Sequence, residues 1–151
     1  MCKIRREYRD KHKAERGTAI VIIQSADRIL LVKEPTQADP ICWKFPGGGV
    51  KRWKKETYKE AAKRELEEET GLILDIRQLK MLGYRVMLGH LLVIFGANVC
   101  SFDGLLSQGS SGEITRTCTL KEIYKLSDFL PNHQKFLRFW ENGQLNLSFF
   151  E

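Results

Sequence analysis

The segment from Phe45 to Leu72 constrains the fold more than any other part of the sequence. It begins with "FPGGG", in which the proline ends a preceding strand and the glycines leave the backbone without shielding side chains. Apolar side chains then recur at helical spacing from Glu56 to Thr70, and Gly71 is a natural C-terminal stop. The chain is therefore predicted to pass from a short strand through a glycine turn into an amphipathic helix.

Short apolar runs on both sides of this segment predict a sheet. "TAIVIIQ" and "RILLVKE", separated by "SAD", have the pattern of a hairpin of buried strands. "CWKF" is predicted to be a short strand that ends at Pro46 and that the glycines cannot continue. The apolar run from Leu91 to Cys100 and the alternating "EITRTCT" predict further strands, and "LKEIYKL" and "NHQKFLRFWEN" predict short helices. In the second of these helices one face is expected to carry Phe136, Leu137 and Trp140. Strands mixed with two or three helices predict an α/β protein with one mixed β-sheet covered on both faces.

The length and the charge limit the number of domains and the kinds of partner. A chain of 151 residues that is 42% hydrophobic fits a single globular domain. We expect this domain at residues 17–151, after a basic tail or fraying helix at residues 1–16. The net charge of +6 indicates a surface that attracts anions such as nucleotides, nucleic acid or anionic lipid. The tail either contacts a polyanion or only solvates the terminus.

The cysteines and the apolar runs indicate a cytoplasmic protein. The four cysteines form no CxxC pair and, with the three histidines, lack the spacing of a zinc finger. They are interpreted as reduced thiols at Cys2, Cys42, Cys100 and Cys118. The N-terminus has no apolar stretch of the kind found in signal peptides. The most apolar run, from Val86 to Cys100, is shorter than the roughly 20 residues that span a bilayer, so no membrane role is expected.

Four glutamates lie within five positions of the predicted helix, in "RELEEETGL". Helical geometry places Glu65 on one face with Glu68 and Glu69, while Glu67 points elsewhere. Such crowded carboxylates repel one another unless a cation lies among them, and oxygen ligands suit Mg²⁺ or Mn²⁺. Arg64 is placed to hold one carboxylate. The alternative is a solvated acidic face, but the adjoining glycine turn offers backbone groups to a metal or a phosphate and favours a binding site.

The segment "GGGVKRWKKETYKEAAKRELEEETGL" resembles the signature of the Nudix hydrolases. In that family the box reads Gly, five residues, Glu, seven residues, Arg-Glu, an aliphatic, any residue, Glu-Glu, any residue, Gly, aliphatic. The chain fits the second half without a gap from Glu56 to Leu72, but seven residues separate Gly48 from Glu56. The box, at about residues 48–72, therefore carries a two-residue insertion around "KRWKK". The likeness extends from about Thr18 to Leu130, since "WKFPGG" and "TLKEIYKL" also resemble family features.

This resemblance implies a Nudix-type α/β/α sandwich that binds one to three Mg²⁺ or Mn²⁺ ions. The metal-binding residues that match are Glu65, Glu68 and Glu69, with the carbonyl of Gly48 as a further candidate and that of Gly49 as its alternative in the longer loop. Arg64 matches the arginine that orients these carboxylates. In some relatives the general base belongs to the box, here Glu65 or Glu68, and in others it is a glutamate in a later loop. Glu113, after the Gly- and Ser-rich segment "SQGSSG", matches the latter, and its alternative role is that of a surface acid.

Several residues near the box are candidates for contact with substrate. Lys33 lies where related enzymes often have a base that contacts phosphate, and could equally be a strand-end lysine. Trp43 and Phe45 share one face of their strand and form either core or a platform for a nucleobase. Asn132, in "DFLPN", is either a reader of the base or a helix cap. The inserted loop either contacts phosphates and stacks a base or is a solvated tip, and it contains Lys51, Arg52, Trp53, Lys54 and Lys55.

We expect a Mg²⁺-dependent nucleotide pyrophosphohydrolase that cleaves a pyrophosphate bond in a nucleoside di- or triphosphate derivative. "WKFPGG" and "DFLPN" resemble the MutT-type group, which favours a purine (d)NTP as the substrate. One alternative is the removal of pyrophosphate from RNA 5′ ends, favoured by the basic tail and loop. Another is a non-catalytic Nudix-like module that binds nucleotide or RNA, although such a module should lack box glutamates that this chain retains. The sequence indicates no oligomeric state.

Overall fold

The computed structural model describes residues 16–35, 41–87 and 89–137. The strands in these ranges are β1 (Arg16–Ser25), β2 (Arg28–Lys33), β3 (Gly47–Gly49), β4 (Lys80–Met87), β5 (His90–Asn98) and β6 (Ile114–Thr119). The α-helices are α1 (Tyr58–Thr70), α2 (Leu120–Lys125) and α3 (Pro131–Gln134), and single 3₁₀ turns occupy Arg52–Lys54, Ile76–Gln78 and Lys135–Leu137. Residues 1–15 of the predicted tail lie outside the described residues, as do Cys2 and Trp140. Arg16, predicted as the last residue of the tail, instead begins β1 and pairs with His90.

The strands form one mixed sheet in the order β4-β5-β1-β2-β6. β1 and β5 run parallel from Arg16↔His90 to Gln24↔Asn98, and the other neighbours are antiparallel. The predicted hairpin is confirmed, because β1 and β2 pair at Gln24↔Ile29 across a two-residue turn. None of the helices in the described ranges is long and apolar enough to cross a bilayer. Cys42, Cys100 and Cys118 are free thiols, and a cytoplasmic location stays a prediction.

The glycine triplet differs from the prediction, because it is itself a strand. Only isolated bridges occur at the predicted strand "CWKF", where Lys44 pairs with Val32 and Trp43 with Phe129. β3 then pairs with β1 over Thr18↔Gly49 to Ile20↔Gly47, on the edge of β1 from which β2 has diverged. A side chain at Gly47 would collide with the carbonyl of Ala19, so only a glycine lets the two backbones approach. The glycines therefore fill the gap between β1 and β2.

Helix α1 has strong signals at both ends. Thr57 and Glu60 form a capping box, so the helix begins two residues later than the predicted Glu56. At the other end Gly71 adopts a left-handed conformation with φ +75°, and its N–H donates to the carbonyl of Glu67. The predicted stop at Gly71 is confirmed. Since Thr57 and Gly71 cap the helix, the glutamates between them are held at fixed positions along one rigid element.

Two hydrophobic cores lie on opposite faces of the sheet. The first packs α1, through Ala61, Ala62 and Leu66, against side chains of β1, β2 and β5. Burying a side chain such as Leu66 stabilises the fold by roughly 2 kcal/mol. The second core packs Ile123 of α2 and the 3₁₀ turn after α3 against the other face. This arrangement confirms the predicted α/β/α sandwich with a mixed sheet.

Candidate active site

Three consecutive residues before the glycine strand point alternately to the two faces of the sheet. Trp43 and Phe45 belong to the core beneath α2 and α3. Lys44 points to the face of α1, where its Nζ lies 3.9 Å from Oε2 of Glu69. The backbone of Lys44 is fixed by two reciprocal 2.9 Å hydrogen bonds with Val32. An ammonium group is thereby held among the box glutamates, and the sequence analysis did not single it out.

Glu69 is the most deeply buried carboxylate of the box, with 4% of the residue exposed. Its Oε1 accepts a 2.8 Å hydrogen bond from the N–H of Gly47. Burial raises the pKa of Glu69 to about 7; Lys44 and the Gly47 N–H oppose the shift, while Glu65 and Glu113 add to it. A carboxylate in this position would gain from a nearby cation beyond Lys44.

Arg64 joins the other box carboxylates to the glycine strand. Its guanidinium donates to Glu65 at 3.0 Å, to Glu68 at 3.1 Å and to the carbonyl of Gly49 at 3.0 Å. Two more donations reach both oxygens of Glu56 at 2.7 and 3.0 Å. The five N–H groups of an arginine are thus all used, which fixes this side chain more firmly than the single carboxylate contact expected from its spacing. Hydrogen bonding to Arg64 holds the pKa of Glu56 below its usual value.

Glu65 lies directly against the glycine strand. A methyl group at Gly48 would come within 2.5 Å of Oε1 of Glu65, so a residue with any side chain at this position would displace the carboxylate. Burial raises the pKa of Glu65 above its usual value, and Arg64 opposes the shift. Glu67 instead points away from this cluster and pairs with Lys63 at 3.6 Å, as the helical spacing predicted.

Glu113 is buried beneath the loop that precedes β6. Its Oε2 accepts a 2.9 Å hydrogen bond from the N–H of Ser111, and its carbonyl accepts one from Gly109. The same loop is attached to the end of α1, because Ser110 donates to the carbonyl of Glu68 and Ser107 to that of Thr70. Glu113 is therefore a buried acid beside the box rather than a surface acid, and the loop mobility inferred from glycine content stays a prediction.

The donor chemistry of this cluster suits a hard divalent cation, although the side chains are not arranged around one. Glu65, Glu68 and Glu69 offer only oxygen ligands, and the buried charge of Glu69 is incompletely neutralised. Within the described ranges, no three His, Cys, Asp or Glu side chains form a ready metal site. The reason is that Arg64 draws Glu65 and Glu68 toward itself, while Glu69 turns to Gly47. Glu65, Glu68 and Glu69 are the residues of this cluster that would hold such a cation.

Comparisons with known proteins agree with this geometry. The chain matches the NUDIX domain over residues 13–139. It is 30% identical over 130 residues to the ADP-ribose pyrophosphatase of Methanocaldococcus jannaschii, in an alignment that covers 81% of this chain and 72% of that protein. The chain belongs to the Nudix hydrolase family. It is accordingly a pyrophosphohydrolase, and enzymes of this family generally use divalent metal ions.

Solved structures support the Nudix fold independently of the box. The chain resembles a NUDIX hydrolase from Nitrosomonas europaea with a TM-score of 0.69 and 22% identity, covering 86% of this chain and 90% of that one. It also resembles a bifunctional NMN adenylyltransferase/ADP ribose pyrophosphatase from Francisella tularensis, complexed with AMP and Mn ion. There the TM-score is 0.68 and the identity 18%, covering 92% of this chain and 47% of the other.

The register of the Nudix glycine strand bears on which carbonyl could reach a metal. Val21 donates to the carbonyl of Pro46, and Val50 donates to that of Gly17. By the alternation of an antiparallel ladder, Gly48 then shares hydrogen bonds with its partner on β1, and its carbonyl faces β1. The carbonyl of Gly49 is bound by Arg64. The N–H of Gly47 donates to Glu69, so Gly47 and Gly49 both present backbone groups to side chains of α1.

Lys33 and Trp43 of this Nudix hydrolase lie on the face opposite the box. The Nζ of Lys33 is 2.8 Å from Oδ2 of Asp128 and 4.9 Å from the centre of the Trp43 ring. Arg116 also approaches that ring, at 5.9 Å. Lys44 rather than Lys33 is therefore the lysine beside the box glutamates. The alternation of Trp43, Lys44 and Phe45 was the signal in the sequence that could have identified it.

Of the two alternatives for Phe45, core or nucleobase platform, the structure shows a core position, and a contact with substrate stays a prediction. Its ring is fully buried in the second core, where it meets Phe129 edge-on at 5.5 Å and stacks on His133 at 5.6 Å. Burial lowers the pKa of His133 to about 3, so the ring is neutral. The N–H of Phe45 donates a hydrogen bond to Nδ1 of this neutral ring. Asn132 is exposed and lies inside α3, which makes it no N-cap of that helix.

Proposed function

We propose that this Nudix hydrolase cleaves the diphosphate bridge of a nucleoside diphosphate derivative in a reaction that requires Mg²⁺. The observation that carries the proposal is the carboxylate cluster at the junction of the glycine strand and α1. In it Glu69 and Glu113 are buried, and Lys44 interacts with Glu69 and Glu65. Buried titratable groups with strongly shifted pKa values are typical of catalytic sites. The relation to the ADP-ribose pyrophosphatase of Methanocaldococcus jannaschii supports this class of substrate.

The residues proposed to hold the ion are Glu65, Glu68 and Glu69. As the backbone ligand we propose the carbonyl of Gly47 in place of that of Gly48, since the ladder turns Gly48 toward β1. When bound, the ion supplies positive charge to the diphosphate oxygens and acidifies water. Arg64 keeps Glu65 and Glu68 oriented, because its remaining donors are anchored on Glu56 and Gly49.

The other residues of the cluster are proposed to handle the proton and the phosphate charge. Glu113 accepts the proton of the attacking water, since its carboxylate is buried beside Glu69 and is positioned by the N–H of Ser111. Lys44 donates a hydrogen bond to a phosphate oxygen, where a fixed ammonium group stabilises negative charge that grows in the transition state. Both roles need shielding from water, and Glu113 is buried while only 14% of the Lys44 side chain is exposed.

A substrate panel tests this proposal. The full chain is incubated with Mg²⁺ in ¹⁸O water with ADP-ribose, a purine deoxynucleoside triphosphate or RNA carrying a 5′ triphosphate, and the products are read by mass spectrometry. We expect AMP and ribose 5-phosphate from ADP-ribose, with ¹⁸O in one of them, and loss of turnover on chelation by EDTA. Turnover of the deoxynucleoside triphosphate alone would replace the proposed substrate with one of MutT type. Binding of these nucleotides without any turnover would indicate a non-catalytic module.

We also propose that residues 17–151 form a single domain that follows a basic tail at residues 1–16. The match to the NUDIX domain over residues 13–139 covers most of the proposed domain. Removal of residues 1–15 should then leave the thermal unfolding temperature and the turnover of a small nucleotide unchanged. A lower unfolding temperature would place the tail within the folded domain.

A further inference from the structure

The loop between β3 and α1 presents an exposed aromatic ring surrounded by positive charge. Trp53 is 77% exposed, more than any other large hydrophobic side chain in the described ranges. We call residues 51–55 the tryptophan loop; the other members are Lys51, Arg52, Lys54 and Lys55. An exposed tryptophan gains nothing from the core, and four adjacent cations repel one another. An exposed ring among clustered positive charges suits a ligand that is both flat and anionic.

The tryptophan loop is held in a defined conformation. Its single 3₁₀ turn is closed by bonds from Lys54 to Lys51 at 3.1 Å and from Lys55 to Arg52 at 2.9 Å. The N–H of Lys51 donates to Oε1 of Glu56 at 2.9 Å, and Lys55 ends the turn in a left-handed conformation, with φ +55°. The ring of Trp53 is therefore displayed on a fixed turn, which reduces the entropy lost when a ligand binds.

The base of the tryptophan loop is joined to the active site by one side chain. Arg64 binds Gly49 before the loop and Glu56 after it, and the same guanidinium binds Glu65 and Glu68. The tryptophan loop therefore starts and ends beside the side chain that orients the box carboxylates. The part of a ligand that meets the loop must offer flat rings for stacking and anions for the lysines and arginine.

We propose that the tryptophan loop binds single-stranded nucleic acid, stacking a base on Trp53 and holding backbone phosphates with its cations, so that the 5′ end of the strand reaches the active site. The proposal rests on the proposed nucleotide site beside the loop. An unpaired strand fits better than a duplex, because only unpaired bases offer a free face to a protruding indole ring. RNA and DNA share this chemistry.

Fluorescence anisotropy tests the proposal without requiring turnover. Labelled ten-nucleotide RNA and DNA strands of one sequence, each with a 5′ triphosphate, are titrated with the full-length Glu69→Gln variant in Mg²⁺. Adding Trp53→Ala should weaken binding about 5- to 100-fold, the effect expected for one lost stacking contact. Adding Arg52→Gln and Lys54→Gln should reduce the slope of log affinity against log salt by about 1.4, since each single-strand phosphate contact contributes about 0.7.

Matched controls separate the loop from general surface effects. Ile73→Ala removes another exposed apolar side chain, and Lys121→Gln with Lys125→Gln removes two exposed charges from α2. We expect both controls to keep the parent affinity and salt slope. Equal affinities of the parent and the Trp53→Ala variant for both strands would overturn the proposal. Trp53-dependent binding only to vesicles of anionic lipid would overturn it in favour of a membrane surface.

The two proposals fail in different ways. Hydrolysis of ADP-ribose without measurable strand binding would overturn the inference about the tryptophan loop and leave the proposed function standing. Trp53-dependent strand binding with no turnover of any nucleotide would support the inference and overturn the proposed function. Preference for RNA over DNA in the binding assay would support a contact with the 2′-hydroxyl near the loop.

Discussion

Each face of the sheet buries a titratable group, but the fold compensates the burial of the two groups to different degrees. On the α1 face Glu69 is buried near other carboxylates, and its pKa is raised to about 7. On the other face His133 is buried among phenylalanine rings, where it stays neutral and accepts the Phe45 N–H. The neutral histidine has a hydrogen-bond donor for its Nδ1 within the fold, whereas Lys44 and the Gly47 N–H only partly compensate the buried charge of the glutamate. The contrast teaches that burial indicates a functional group where internal partners leave the buried charge incompletely compensated.

The largest effect should come from Glu69→Gln, which removes a charge and keeps the acceptor for Gly47. We expect kcat to fall at least about 100-fold. Because the folded-state pKa of about 7 lies above the ordinary 4.5, ionised Glu69 disfavours folding as the pH rises through this interval. Urea unfolding at pH 8 in EDTA should thus give the Glu69→Gln variant a free energy of unfolding equal to that of wild type or about 1–3 kcal/mol higher. Glu67→Gln, at the exposed Lys63 pair, is the control and should alter neither measurement.

Replacing Lys44 and Lys33 separately with methionine tests the comparison of the two faces most directly. Lys44→Met should lower kcat/KM about 10- to 100-fold, because a charge-assisted hydrogen bond to phosphate is lost. Lys33→Met, on the opposite face beside Asp128, should stay within about threefold of wild type. Steady-state kinetics under one set of conditions compares them. The reverse ranking would place the phosphate on the aromatic face and contradict the proposed site.

The buried histidine predicts how stability depends on pH. The pKa of His133 is about 3 in the folded protein and ordinarily 6.5. Below pH 6.5 the unfolded chain therefore binds a proton at His133 that the folded chain does not bind. This group should therefore remove about 2 kcal/mol of stability between pH 7 and pH 5. His133→Asn can retain an acceptor for Phe45 and does not titrate. Urea denaturation at the two pH values should show a smaller loss in this variant; equal losses would mean that His133 is already protonated or accessible.

The smallest effect is expected from Phe45→Leu. Loss of ring contacts with Phe129 and His133 should lower the free energy of unfolding by about 1 kcal/mol, with kcat/KM within about twofold of wild type. Chemical denaturation and steady-state kinetics on the same preparation separate these effects. A rise in KM of tenfold or more at unchanged stability would indicate that Phe45 contacts substrate, and would contradict the proposed difference between the two faces.

Local pattern was sufficient for much of the fold and for part of the site. The spacing of Ala61, Ala62 and Leu66 predicted α1, and Gly71 predicted its end, because both signals act over a few residues along the chain. The same spacing separated Glu67 from the other glutamates. The role of the glycine triplet as β3 was not predicted, because it depends on the gap that opens where β2 leaves β1. Lys44 was overlooked because a lysine in a short strand ordinarily faces solvent.

By itself, the sequence determined the box, the helix that carries it, the hairpin and the family to which they belong, since each of these is written in periodicity and spacing within short segments. Only the tertiary structure decided which groups meet across segments: Lys44 with Glu69, Glu113 beside the box, and His133 against Phe45. Such meetings depend on strand register and on which face of the sheet a side chain enters. Shifting register by one residue exchanges the two faces, and only packing of the whole chain selects between them.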